Sequence, residues 1–257
     1  MLEAKAISIG YDAKEIVRDV SFVAKTSEIV AVLGANGAGK TTLLRALNGS
    51  LDLSKGEIFL NEKSLRDFSR REIAQKIAVV AQENQTQFPV TVLEFVLSGR
   101  FAHASGAFGW ETEKDLIVAR KALLETDLSG FENRLINRLS GGERQRAVFA
   151  RALAGEAKTF LLDEPTANLD LSHQASLLRL MREKCDTENC TAIVITHDLN
   201  LAAAFADKIL LLKSGSAIAL GKPSEVLTES NLREVFAVDV LIDSHPASER
   251  LRVTAIF

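Results

Sequence analysis

The chain has 257 residues, 47% hydrophobic and 25% charged, which suits one α/β domain or one domain with an inserted lobe and supplies material for a real core. Lysine and arginine number 31 against 34 acidic residues, a formal charge of -3, so no basic excess points to a nucleic-acid partner or to direct docking on lipid headgroups. No basic segment precedes a long apolar one at the N-terminus, and runs such as IVAVL and LAAAFA are far too short to span a bilayer, so the expectation is a cytoplasmic chain whose membrane association comes through a partner.

In chain order, MLEAKAISIGYD alternates apolar and polar residues like an edge strand. An apolar strand at 28–33 then runs into Gly34, Ala35, Asn36, Gly37, Ala38, Gly39, Lys40 and Thr41, and a helix at 41–48 follows. Glycines at this spacing let the backbone wrap phosphate oxygens with inward N–H groups, and the helix start adds positive charge. Lys40 supplies a full charge to the β- and γ-phosphates, Thr41 a hydroxyl for Mg²⁺, and Thr42 a hydrogen bond to phosphate. Strands are predicted at 57–60 and 77–81.

From 83 to 155 the pattern turns helical. Residues 92–98, 113–126 and 143–154 carry apolar side chains at three- and four-residue spacings. This predicts a helical lobe, 83–155, inserted between the halves of a nucleotide-binding core at 1–82 and 156–257. Leu139-Ser140-Gly141-Gly142-Glu143 leads into the last of these helices. Ser140 and Glu143 read as a capping box, and the two glycines leave the helix start bare, a second anion site. One ATP needs only one such helix start.

The strand at 159–163 ends in Asp163, with Glu164 and Pro165 directly after it. At the carboxyl end of a parallel strand, Asp163 is placed to hold Mg²⁺ and Glu164 to orient and polarise an attacking water. A helix at 175–184 precedes Cys185 and Cys190, which lack companions for a zinc set and read as reduced thiols beside a loop. A strand at 191–196, a helix at 199–206 and a strand at 208–213 continue the alternation that predicts a parallel sheet with crossover helices. The tail after Gly221 offers one or two helices and a final strand-like RLRVTAIF.

The segment Leu139–Glu143, continuing Arg144-Gln145-Arg146, resembles the ABC signature, and with the phosphate loop and the acidic strand it makes nearly the whole chain similar to ABC ATPases. The resemblance implies a P-loop NTPase of ABC type: an α/β fold with a mostly parallel sheet core, an antiparallel β subdomain and an inserted α-helical subdomain. It implies ATP and Mg²⁺ as cofactors and a head-to-tail dimer, each ATP lying between one copy's phosphate loop and the other's Ser140, Gly141 and Gly142. Tyr11 matches the aromatic that stacks on adenine, although a plain edge-strand aromatic fits the position too. Gln82 matches the glutamine that senses Mg²⁺ and water, and Ala167-Asn168-Leu169-Asp170 matches the loop that crosses to the partner copy. His197 matches the histidine that contacts the γ-phosphate.

Residues 88–100, 168–174 and 221–227 resemble the ATPases of importers for iron–siderophore complexes, haem and cobalamin. That resemblance implies transmembrane permease subunits, an external substrate-binding protein acting through them, and a place on the inner face of the cell membrane. The surface from Gln82 to Arg100 is the expected docking site, with Glu94 and Arg100 exposed; Val92, Phe95 and Val96 line it or simply pack the lobe. Two alternatives stay open: a soluble ABC ATPase acting on an iron–sulfur assembly scaffold, and the motor of an exporter.

Overall fold

The structure, a computed structural model, describes residues 1–11, 14–81, 89–104, 112–167, 169–246 and 248–256. The chain opens with an antiparallel hairpin of β1 (Leu2–Tyr11) and β2 (Lys14–Ala24), then enters β3 (Ile29–Gly34) and α1 (Lys40–Leu47). β4 (Lys55–Leu60) and β5 (Lys63–Ser64) lead through α2 (Arg70–Lys76) to β6 (Ile77–Val80). Helices α3 (Val92–Leu97), α4 (Glu113–Glu125) and α5 (Gly141–Ala154) follow. Next come β7 (Thr159–Asp163), α6 (Leu171–Glu188), β8 (Thr191–Ile195), α7 (Leu199–Phe205), β9 (Lys208–Lys213) and β10 (Ser216–Gly221). The tail carries α8 (Pro223–Val226), α9 (Glu229–Phe236) and a hairpin of β11 (Val240–Ser244) and β12 (Leu251–Ala255).

Among the described residues the main sheet has the order β10-β9-β3-β8-β7-β6, parallel from β9 to β6, with β10 antiparallel at one edge. β3, β7 and β8 are buried at every position because both faces of the sheet are covered, hence their nearly unbroken apolar sequences. One face packs against α1 and an antiparallel sheet of order β2-β1-β4-β5: Leu43 and Leu47 join Val30, Val32, Leu2 and Ile58 in one cluster. The other face meets α3, α5 and α6 through Val96, Phe149, Phe160 and Met181. The mostly parallel sheet with an antiparallel β subdomain and helical additions is the expected architecture. Among the described residues, no helix is long and apolar enough to cross a membrane.

Three expectations need correcting, and one strand was missed. β1 is not an edge strand, since β2 and β4 flank it on either side. β2 escaped notice because its register with β1 shifts repeatedly and charged residues line its solvent face, blurring the period of two. Arg100 is not exposed: it is 5% accessible, its Nε donating to Asp115 at 2.8 Å and its Nη1 to the Ala154 carbonyl at 2.9 Å and Glu156 at 2.6 Å. A buried guanidinium is tolerated only when paired and hydrogen-bonded in this way. α6 extends past 175–184 at both ends, because Asp170 caps its start and Asn189 stops it in the left-handed conformation at φ 56°.

Val92, Phe95 and Val96 are buried in the core shared by α3 and α5, so they pack the lobe rather than line a surface. Cys185 and Cys190 are buried free thiols in the same core, and burial pushes the Cys185 thiol up to about 12, which keeps it protonated and unreactive.

Candidate functional site

β3 delivers the glycine-rich loop to the carboxyl edge of the sheet. Gly34 has φ +155°, and a Cβ there would stand 2.4 Å from the Leu212 carbonyl oxygen, so only glycine fits between loop and β9. Gly39 caps α1 at φ 96° with no side-chain cap, leaving the first N–H groups of the helix for an anion. The loop is pinned from outside, since Gly215 N–H donates to the Ala38 carbonyl at 3.1 Å. Lys40 Nζ donates to the carbonyls of Gly34 at 2.6 Å and Ala35 at 3.1 Å. Burial pushes its pKa down, against the opposing charges of Glu164 and Asp163.

Facing the loop, β7 ends at Asp163, whose Oδ2 accepts from Thr41 Oγ1 at 3.0 Å. Burial raises the Asp163 pKa, while the Thr41 bond and the charges of Lys40 and Arg45 oppose the shift. A half-desolvated carboxylate touching a hydroxyl, both oxygen donors, fits a hard divalent cation such as Mg²⁺. Glu164 has φ 50°, unusual for a non-glycine residue, and its N–H donates to the Ile195 carbonyl at 3.0 Å. Its Oε2 lies 2.8 Å from His197 Nδ1. An ionised carboxylate only accepts, so Nδ1 carries the hydrogen and Nε2 remains for another partner. The Glu164 side chain is 15% exposed and His197 77%, so the carboxylate is sheltered while the ring reaches outward.

Residues 36–42, Asp163 and Glu164 line one open cavity of about 630 Å³. Lys14, Glu15, Ile16 and Arg18 of β2 form part of its wall. Sequence reasoning missed them, since no motif marks this strand.

Ser140, Gly141, Gly142 and Asp170 do not line this cavity. Ser140 starts α5 in the expected capping box: its N–H donates to Glu143 Oε2 at 2.7 Å, and Glu143 N–H donates to Ser140 Oγ at 3.3 Å. Asp170 Oδ1 accepts from the His173 N–H at 2.9 Å, from His173 Nδ1 at 2.8 Å and from Ser172 Oγ at 2.9 Å, and these donors hold its pKa down at about 2. Gln82 and the side chain of Tyr11 lie outside the described residues; the Tyr11 backbone closes β1.

The sequence profile of the family described as ABC transporter matches residues 17–167. A hemin import ATP-binding protein of Deinococcus radiodurans is 42% identical over 246 residues, covering 93% of this chain and 91% of the relative. A petrobactin import ATP-binding protein of Bacillus anthracis is 36% identical over 245 residues, covering 95% and 89%. An uncharacterized ABC transporter ATP-binding protein of Bacillus subtilis is 36% identical over 249 residues, 97% of this chain but only 56% of that longer relative. Among solved structures, a chain of a metal-chelate type ABC transporter in an inward-facing conformation superposes with a TM-score of 0.86 at 32% identity, covering 100% of this chain and 97% of the other. A dimeric ATP-binding cassette in a post-hydrolysis state with ADP and Pi superposes with a TM-score of 0.78 at 29% identity, covering 87% and 99%.

Proposed function

The chain belongs to the ABC transporter family as an ATP-binding cassette ATPase, and from that premise we propose that it is the motor of an importer for an iron–siderophore complex, haem or cobalamin. The observation that carries the mechanism is the split between two helix starts. Lys40, Thr41, Asp163 and Glu164 converge on one cavity, while the start of α5 at Ser140 lies outside it. A second copy placed head to tail brings its Ser140, Gly141 and Gly142 over this cavity and completes the site. Leu171, 84% exposed beside Asp170, is a large apolar side chain that such a copy would cover.

In that arrangement Tyr11 stacks on the adenine, the loop backbone cradles the phosphates, and Lys40 leaves the Gly34 and Ala35 carbonyls to meet the β- and γ-phosphates. Thr42 adds a hydrogen bond to phosphate. Thr41 and Asp163, with Gln82, would hold Mg²⁺, which supplies charge neutralisation at the transferring phosphoryl group. Glu164 accepts the hydrogen bond of the attacking water, and His197, oriented by Glu164 through Nδ1, offers Nε2 towards the γ-phosphate. Asp170 sits in the loop that crosses to the second copy.

The segment 83–155 serves as the lobe that carries the signature and meets the permease, on the inner face of the membrane. The named import functions of the relatives support this reading over a soluble scaffold ATPase or an exporter. Affinity purification from detergent-solubilised membranes separates the three. A polytopic permease should accompany the chain, and proteoliposomes holding both should take up haem, a ferric siderophore or a corrinoid only with ATP and the external binding protein. Recovery of a soluble scaffold instead, or ATP-driven efflux, would replace the importer reading.

A further inference from the structure

Pro165 follows Glu164 directly, so whatever holds its carbonyl constrains the backbone of the hydrolytic carboxylate. That carbonyl accepts a hydrogen bond at 3.1 Å from Nε2 of Gln145, a buried side chain of α5. Gln145 lies five residues beyond Ser140, about 7 Å along a rigid helix from the start assigned above to the second copy's ATP. The far end of the same stretch is tied to α6. Gln174 Nε2 donates to the carbonyls of Leu169 at 3.0 Å and Thr166 at 3.4 Å, and Asp170 is bound to His173. The described chain after Glu164 is therefore tied both to α6 and to α5, and α5 carries the Ser140 start assigned above to the neighbouring nucleotide. Glu164 itself holds φ 50°, a conformation that persists only when its surroundings impose it.

We propose that Gln145 is a positioning residue for hydrolysis: it links the start of α5, engaged by the nucleotide on the second copy, to the Pro165 carbonyl and so to Glu164 of its own chain. The link rests on the two-copy site described under the proposed function. Gln145 touches no substrate and acts through Pro165. The amide suits the task because it offers a donor to a carbonyl in a buried place where water cannot substitute for a lost bond. Each copy's readiness to hydrolyse then depends on the ATP held by the other.

Gln145→Met and Gln145→Leu put an apolar side chain of similar volume in its place and remove the donor without burying a charge. The second variant keeps the test available if the first does not fold. The readouts are kcat, KM for ATP, thermal melting, and ATP-dependent dimerisation of each variant in a Glu164→Gln background. The expected result is a fall in kcat of about ten- to a hundredfold, as for displaced catalytic geometry, with KM within about twofold and with the dimer retained because the α5 start is intact. An unchanged kcat in a folded variant overturns the link, as does a loss explained by a raised KM or by failure to dimerise. Continued hydrolysis by Glu164→Gln with Gln145 intact would instead overturn the underlying site, so the two failures are distinguishable.

Discussion

Glu164 is held at both ends, its N–H on Ile195 and its carboxylate on His197, so removing its charge leaves the scaffold in place. Glu164→Gln keeps shape and most hydrogen bonding but no longer polarises water. Its phosphate release should fall by about 10²–10⁴, roughly 3–5 kcal/mol of barrier, with ATP binding retained; turnover at the parental rate in a phosphate-release assay would remove Glu164 from the mechanism. Lys40 differs. Among the described residues its Nζ bonds only to the Gly34 and Ala35 carbonyls of its own loop, and burial penalises its charged form, so Lys40→Ala removes little that holds the core. That variant should melt like the parent without nucleotide yet lose turnover by about 10²–10³, and near-parental ATPase would contradict the phosphate-loop assignment. Lys40, Asp163, Glu164, Ser140 and His197 were legible as candidates because each follows or opens an element in its own local sequence. Lys14, Ile16 and Arg18 were not, because they reach the cavity only once β2 folds across the loop.

Among elements, the helical stretch from α3 to α5 is secured at the start of α4. Asp115 accepts from the Thr112 N–H at 3.0 Å, from Thr112 Oγ1 at 2.7 Å and from Arg100 Nε at 2.8 Å. The Thr112 backbone bond, the Arg100 bond and the Thr112 hydroxyl hold its pKa at about 2, below the ordinary 3.8. A depressed carboxylate stabilises the fold in full above its unfolded value and loses that contribution as pH falls through its folded one. Urea unfolding should show a gap between the parent and Asp115→Asn that is full near neutrality and closes as pH drops from 3.8 towards 2; a gap indifferent to pH would show that the cap and ion pair are not its source. At the turn between β9 and β10, Gly215 has φ +87° and a Cβ would lie 2.1 Å from the Ile16 carbonyl oxygen. Gly215→Ala should cost about 1–3 kcal/mol of stability and weaken nucleotide binding, since the same residue pins Ala38 in the phosphate loop. Thermal melts and a fluorescent-nucleotide titration check both effects, and parental behaviour in each would show that the turn does not shape the loop. Gly215 stood out in no motif, because its role comes from contacts with β2 and the loop, distant in sequence.

For the whole molecule, the parallel core was readable because β3, β7 and β8 are buried on both faces and so are apolar throughout. The antiparallel sheet was implied by resemblance: the alternation of β1 was read as an edge strand, and charged residues on β2 and the register shifts between the two strands hid its partner. The capping box at Ser140 was legible from four residues, the facing second copy was implied by the resemblance, and Ser140 is not among the residues that line the phosphate-loop cavity. The claim that ATP is held between two copies is tested most directly by analytical ultracentrifugation of Glu164→Gln with Mg-ATP. The account predicts a dimer retaining ATP, returned to monomer by adding Ser140→Arg, which places bulk at the start of α5. An ATP-loaded monomer, or a dimer indifferent to Ser140→Arg, would contradict it.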